Sequence, residues 1–135
     1  MSANIKALAT RWFEEVWNQR RTETVHELFS PEGIGHMEGM EIKGPEPFLQ
    51  LHAAFIQAFP DLKLEVEDVI AEGNSATIRW FARGTHHGDG LGVEPTGKAT
   101  AFRGMTWLRF ENDILVEGWD CWNQGALMQN LSTPA

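Results

Sequence analysis

The spacing of apolar residues changes near residue 60, and this change constrains the fold more than any other feature. Before it, apolar residues recur every three or four positions, which predicts helices over 3–18, 22–29 and 45–59. After it they alternate with polar residues, which predicts four strands, at about 62–70, 76–83, 99–110 and 114–122. Consecutive strands joined by short turns pair antiparallel, and the helices must then cover one face of the sheet.

Two shorter segments complete the predicted order. A glycine-interrupted strand is expected around 34–42, and a short helix around 126–131. The chain of 135 residues has room for one domain, which we take as 1–135. The class is α+β, with helices on one face of an antiparallel sheet. Whether the sheet curls around the third helix, and so encloses a cavity, does not follow from the pattern alone.

Charge and composition exclude several classes of partner. The net charge is −8, and the 11 basic residues are scattered, so a nucleic-acid partner is not expected. The N-terminal apolar residues are interrupted by Lys6, Arg11 and Glu14, which fits neither a signal peptide nor a membrane span. Cys121 is the only cysteine, so no intramolecular disulfide can form. We therefore expect a cytoplasmic protein without a membrane partner.

The aromatic composition predicts an apolar cavity. There are six tryptophans and eight phenylalanines but no tyrosine, and large rings without phenol groups suit an apolar cavity or interface. We expect a small apolar ligand, including polycyclic compounds, bound without metal, nucleotide or other cofactor. The rings expected beside it are Trp12, Phe55, Trp107, Trp119 and Trp122.

Four short motifs carry a family resemblance. They are Phe59-Pro60-Asp61-Leu62, Glu72-Gly73, Gly84-Thr85-His86 and Pro95-Thr96-Gly97-Lys98. In these motifs, and in the closing segment ILVEGWDCWNQGALMQNL, the chain resembles the SnoaL-like polyketide cyclases over nearly its whole length. The resemblance implies a cone-shaped, curved antiparallel sheet wrapped around helices and an internal apolar pocket. Nuclear transport factor 2 and ketosteroid isomerase share that fold, which serves enzymes and non-enzymes alike.

Asp120 is the candidate catalytic residue. It lies between Trp119 and Trp122 near the end of the last predicted strand, where burial would raise the pKa of its carboxyl group and make it a better base. The resemblance implies that this aspartate removes a proton α to a carbonyl, after which the enolate closes a ring by aldol addition. The alternatives from the residues alone are a cap for the last helix and a surface carboxylate.

Thr106 is the main departure from the family. The resemblance places a histidine opposite the aspartate, and this chain has a threonine there, whose hydroxyl donates one hydrogen bond but does not titrate near neutral pH. The resemblance implies that Thr106 contributes to substrate binding. A non-catalytic ligand-binding or dimerisation module of the same fold is therefore the alternative function.

Histidines offer further candidates for the site. His52, on the inner stripe of the third helix, is either a polar group in the cavity or a hydrogen-bonded core residue. His36, on the first strand, is weighed equally as a pocket residue and as a structural one. His86 and His87 are adjacent on extended chain, so they point to opposite sides, and no third ligand lies at metal-binding spacing. No metal site is expected. Cys121 is expected to be buried.

The last strand predicts a homodimer. Its apolar residues fall on both faces, and a sheet that is apolar on both faces must bury the second against something. Strict alternation assigns Ile114, Val116 and Trp122 to one face, and Leu115, Trp119 and Cys121 to the other. We expect the outer face to pair with a second copy of the chain.

Overall fold

The computed structural model describes residues 2–133, with side chains from Asn4 onward. The helices are α1 (Ser2–Arg11), α2 (Thr22–Leu28), α3 (Pro45–Ala58) and α4 (Gln124–Ser132), and α1 continues into a π-helix, Trp12–Asn18. The strands are β1 (Phe29–Met37), β2 (Met40–Lys43), β3 (Lys63–Glu72), β4 (Ser75–Thr85), β5 (Ala99–Glu111) and β6 (Ile114–Trp122).

All six strands form one curved, unclosed sheet in the order β2-β1-β6-β5-β4-β3. The four strands from β3 to β6 pair antiparallel in sequence order, as predicted. The first strand, β1, pairs in parallel with the last, β6, and this pairing was not predicted. The helices lie on the concave face, where α1 packs on β3 and β4. The core lies between these two layers.

The predicted helix 3–18 is two kinds of helix. Its second half, Trp12–Asn18, is a π-helix that buries Trp12, Phe13 and Val16. The carbonyl of Val16 lies near the helix end, where backbone acceptors lack helical partners, and it accepts a hydrogen bond from His52 Nε2 at 2.7 Å. A histidine of α3 thus ties the end of the first helical segment to the core.

The single strand expected at 34–42 is a hairpin. Residues Glu38 and Gly39 form the turn between β1 and β2, and Gly39 has φ of +79°, a conformation that favours glycine. The two strands pair antiparallel from Met37–Met40 to Ile34–Lys43. The hairpin places the Glu38 turn beside the end of β6.

A bulge in β6 overturns the predicted division of its side chains between faces. Arg109 of β5 pairs with Glu117, but the next residue, Phe110, pairs with Leu115, so Val116 is one extra residue. The extra residue reverses the alternation. Leu115 and Trp122 therefore both face the concave side, although strict alternation separates them.

The segment between β4 and β5 packs closely against the end of α3. The backbone N–H groups of His87 and Gly88 both donate to the carbonyl of Ala58. A Cβ on Gly88 would lie 2.0 Å from the carbonyl oxygen of Gln57, so only glycine permits this approach. Over the described residues, no helix is long and apolar enough to cross a membrane.

Candidate active site

A cavity of about 170 Å³ lies between the helices and the concave face of the sheet. It is lined mainly by rings from both layers, namely Trp12, Phe13, Trp17, Phe29, Phe48, Phe55, Trp80, Phe102 and Trp122. An apolar cavity of roughly 150 Å³ is enough to hold benzene. The cavity therefore suits a compact ring compound.

Asp120 stands on the wall of this cavity at the end of a chain of hydrogen bonds. Thr106 of β5 lies directly opposite it in the sheet register and donates from Oγ1 to Asp120 Oδ1 at 2.6 Å. The indole Nε1 of Trp80, on β4, donates to the same Thr106 oxygen at 3.0 Å. Because the hydroxyl accepts from the indole, its one hydrogen is available to the carboxylate. Three adjacent strands thus fix the orientation of the Asp120 carboxyl group.

The second carboxylate oxygen, Oδ2, has no hydrogen-bond partner among residues 2–133, and Asp120 lines the cavity. Asp120 is partly exposed, because one side of it faces the cavity, which is large enough for a water molecule. On its other sides, protein atoms surround the carboxylate. Burial raises the pKa of Asp120 to about 6, although the Thr106 hydrogen bond acts to lower it. Such a pKa is suited to a general base near neutral pH.

Asn123 is the residue that caps the last helix. Its side-chain oxygen accepts from the backbone N–H of Ala126 at 2.9 Å. The alternative that Asp120 is the cap is therefore wrong. The Asp120 carboxylate makes no salt bridge within the described part of the chain either, so it has no evident structural partner beyond Thr106.

Four of the predicted binding residues share the cavity wall with Asp120. They are Trp12, Phe55, Thr106 and Trp122, which come from the π-helix, α3, β5 and β6. The fold therefore brings together side chains more than 100 positions apart in sequence. Their part in binding a substrate stays a prediction.

Three of the residues expected beside the ligand, His36, Trp107 and Trp119, lie on the convex face, away from the cavity. Trp107 follows Thr106 in β5, so it points to the opposite side of the sheet, where it is 50% exposed. His36 follows Gly35, which lines the cavity, and its ring stacks on Trp119. The predictions that Trp107 and Trp119 border the cavity, and the pocket-facing alternative for His36, are wrong.

The other histidines and the cysteine do not form part of the cavity wall. His52 is buried against Val16, and burial lowers its pKa, so it is the hydrogen-bonded core residue of the two alternatives. His86 is buried and pairs with Thr96 through Nδ1, whereas His87 is exposed, so the two rings do not converge. Cys121 is exposed on the convex side, and the expectation that it is buried is wrong.

Sequence reasoning missed three polar residues of the site. Trp80 is not among the rings that the sequence places beside the ligand, and its link to Thr106 depends on the register of β4 and β5. Glu38 lies at the mouth of the cavity, with its Oε1 accepting from the backbone N–H of Trp122 at 3.2 Å. Gln124, the first residue of α4, also lines the cavity. The one sequence signal for Gln124 is that it follows Asn123, a residue type that often caps helices, which places it at the start of α4.

Comparisons with solved structures agree with this architecture. A candidate SnoaL-like polyketide cyclase from Jannaschia sp. CCS1 superposes with a TM-score of 0.92, at 22% identity over 99% of this chain and 95% of that one. The candidate hydroxylase AclR from Streptomyces galilaeus superposes with a TM-score of 0.87, at 30% identity over 100% of this chain and 85% of that one. The candidate polyketide cyclase IdmH from Streptomyces antibioticus superposes with a TM-score of 0.81, at 24% identity over 96% of this chain and 99% of that one.

A search of curated proteins finds no match. The family model described as SnoaL-like polyketide cyclase matches residues 7–131, which is nearly the whole described chain. The match begins within α1 and ends within α4, and it includes all six strands and every residue of the cavity wall described above. The chain belongs to the SnoaL-like polyketide cyclase family.

Proposed function

We propose that the protein is a cofactor-independent enzyme that removes a proton α to a carbonyl group of a small apolar compound. Asp120 is the general base, and the resulting enolate closes a ring by aldol addition. The observation that carries this proposal is the Trp80–Thr106–Asp120 chain, which holds one carboxylate oxygen and leaves the other toward the cavity.

The proposed step balances as follows. The Oδ2 atom of Asp120 takes the α proton, the C–H electrons form the enolate double bond, and the negative charge moves to the carbonyl oxygen. The α carbon then attacks a second carbonyl of the same molecule, a C–C bond forms, and the proton returns from Asp120 to the new alkoxide. No oxidant, metal or second substrate enters this balance.

The enolate oxygen requires hydrogen-bond donors. The hydrogen of Thr106 is committed to Asp120, and the indole N–H of Trp80 to Thr106. Gln124 lines the same cavity, and its side-chain amide carries two donors. We assign it the role of donor to the developing charge, which in an apolar cavity is worth more than in water.

A non-catalytic binding module is the alternative, since it requires only the cavity. The carboxylate of Asp120 favours the enzyme. A carboxylate that is buried without an ion-pair partner is costly to stability, and a ligand-binding cavity lined by rings has no need of one. A raised pKa beside a cavity is a property typical of functional groups.

Deuterium exchange into the bicyclic ketone 2-tetralone tests the proposal. This assay reports proton abstraction alone, so it does not depend on the true substrate. Asp120→Asn keeps the shape of the side chain but removes the proton acceptor, and the enzyme-dependent exchange rate should fall by about 10²–10⁴-fold. The rate of the unmodified protein should rise with pH and reach half its maximum near pH 6, since only ionised Asp120 accepts a proton.

Asp113→Asn is the matched control. Asp113 is exposed in the turn between β5 and β6, where its φ of +63° is a conformation that asparagine also adopts. Its exchange rate should equal that of the unmodified protein. If Asp120→Asn exchanges deuterium as fast as the control, Asp120 is not the base and the binding-module alternative stands.

A further inference from the structure

The charged groups at the cavity are all of one sign. Asp120 stands on its wall and Glu38 at its mouth, and among residues 2–133 no arginine, lysine or histidine side chain lines it. The histidine of α3, His52, donates from Nε2 to the backbone carbonyl of Val16. From the described residues, a ligand therefore meets two carboxylates and no fixed cation.

The neutral polar groups do little to offset this charge. Thr106 donates its one hydroxyl hydrogen to Asp120, and Trp80 donates its indole hydrogen to Thr106. Among the described residues that line the cavity, Gln124 alone carries a side-chain amide. One amide can stabilise the partial charge of a carbonyl oxygen, but it does not compensate for two full negative charges near a bound anion.

The two carboxylates act at different depths. Asp120 is set among rings, where water does not screen its charge fully. Glu38 is exposed, and the backbone N–H of Trp122 holds it at the entrance. The charge of Glu38 helps to raise the pKa of Asp120, so the two groups share one electrostatic field. A charged ligand in the cavity would lie in that same field.

We propose that the cavity selects ligands by charge, so that for one ring skeleton an ammonium compound binds most tightly, a neutral ketone next and a carboxylate most weakly. Asp120 sets most of this order and Glu38 the rest. The rings reinforce it, because aromatic faces attract cations. This inference rests on the proposed function only in taking the cavity as the ligand site. It names organic anions as the class of compound that the site rejects.

Three compounds of the same skeleton test the order: 2-aminotetralin, 2-tetralone and tetrahydro-2-naphthoate. Their dissociation constants should be measured by titration calorimetry at pH 8, where Asp120 with its pKa of about 6 is ionised. We expect the carboxylate to bind at least about 30-fold more weakly than the ketone, and the amine about 10-fold more tightly. Equal affinities, or a carboxylate that binds more tightly than the ketone, would overturn the proposal.

Two variants assign the effect to its residues. The quantity to compare is the ratio of the ketone's affinity to the carboxylate's affinity. Asp120→Asn should bring this ratio to within about threefold of unity, and Glu38→Gln should lower it by about threefold. Glu41→Gln is the matched control, because it removes the same charge from the same hairpin but on the convex face, where Glu41 pairs with His36. If Glu41→Gln lowers the ratio as much as Glu38→Gln, the net charge of the chain is responsible and the proposal fails.

The outcomes separate this inference from the proposed chemistry. If the affinity order is found but 2-tetralone gains no deuterium, charge selection stands and the proposed proton abstraction fails. If deuterium exchange occurs but the three compounds bind equally, the chemistry stands and charge selection fails. If none of the three binds, the cavity is not the ligand site, and both proposals are wrong.

Discussion

The two faces of the sheet treat charged groups in opposite ways. On the concave face, the Asp120 carboxylate accepts a hydrogen bond from the neutral Thr106 hydroxyl and is surrounded by rings, so burial raises the pKa of its carboxyl group to about 6. On the convex face, His36 lies between Glu117 at 2.8 Å and Glu41 at 3.0 Å. There the hydrogen bond between His36 and Glu117 raises the pKa of the histidine and lowers that of the glutamate. The fold therefore disfavours the charged form of Asp120, which lacks a charged partner, and favours the charged forms of His36 and Glu117, which have each other.

The aromatic residues differ between the faces as well. Nine rings on the concave side surround a cavity, whereas three rings on the convex side form a row in register across the strands. His36 of β1 pairs with Trp119 of β6, and Trp119 with Trp107 of β5. The centroids of the two indoles are 4.9 Å apart. Trp107 and its neighbour on the same face, Met105, are each about half exposed, which leaves an apolar patch in contact with water.

The largest predicted effect concerns the oligomeric state, which depends on what covers this patch. We propose that a second copy of the chain covers it. The charges around the patch are of both signs, since Glu67 lies near Arg79 and Arg103, at 3.5 and 3.6 Å, and Glu117 near Arg109, at 3.1 Å. Two such faces can therefore meet in a two-fold dimer without net repulsion, despite the overall charge of −8.

Trp107→Glu tests the dimer. A two-fold interface contains the substitution twice, so the dissociation constant should rise by about 1000-fold or more. Analytical ultracentrifugation at micromolar concentration should give twice the chain mass of 15.2 kDa for the unmodified protein and the single mass for the variant. Met40→Glu is the control, because Met40 is equally exposed but borders the cavity. Unmodified protein that sediments at the single mass would refute the dimer.

The period of apolar residues was sufficient to predict the layers of the fold. Helices before residue 60 and four antiparallel strands after it followed from local spacing, and the structure confirms them. The parallel pairing of β1 with β6 was not predictable in this way, because it joins segments about 80 residues apart. Local spacing predicts a single glycine-interrupted strand there, because it does not distinguish a glycine within a strand from one that forms the turn at Glu38 and Gly39.

The candidate site was predictable only where adjacent positions carried the information. The resemblance pointed to Asp120 and to Thr106 opposite it, and the register confirms that the two are neighbours. Trp107 and Thr106 cannot both face the cavity, because successive side chains of a strand point to opposite sides. The faces of β6 were assigned wrongly because a bulge at Val116 shifts the alternation, and no local pattern marked it.

The buried charge of the concave face should be visible as a pH-dependent change in stability. The folded chain holds the proton of Asp120 with a pKa of about 6, against about 3.9 in the unfolded chain. The folded state therefore binds this proton more tightly, and its stability falls as pH rises from about 4 to about 6. Asp120→Asn removes the charge. It should be more stable than the unmodified protein by about 1–3 kcal/mol at pH 8, and similar to it near pH 4.

Urea denaturation at the two pH values measures this difference. Asp113→Asn serves again as the control, because it removes an exposed carboxylate and should leave the pH dependence unchanged. Equal stability of Asp120→Asn and the unmodified protein at pH 8 would show that Asp120 is not disfavoured as an ion, and the contrast between the two faces would be lost.

The smallest effect should come from His36, whose pKa is raised for the opposite reason. Its charged form gains Glu117 and Glu41 as partners, so its stabilising contribution is complete below the unfolded pKa of about 6.5 and is lost as pH rises through the higher folded value. Both groups thus lower the stability of the folded chain as pH rises, but in different ranges. The loss from Asp120 occurs below about pH 6 and the loss from His36 above about pH 6.5.

Titration of the His36 ring by NMR should give a pKa above 6.5. Glu117→Gln should lower this pKa more than Glu41→Gln, since the Glu117 hydrogen bond is the largest cause of the shift. Glu111→Gln, which removes an exposed carboxylate that pairs with Arg109, is the control. A His36 pKa that does not respond to Glu117→Gln would mean that ion pairing does not govern the convex face.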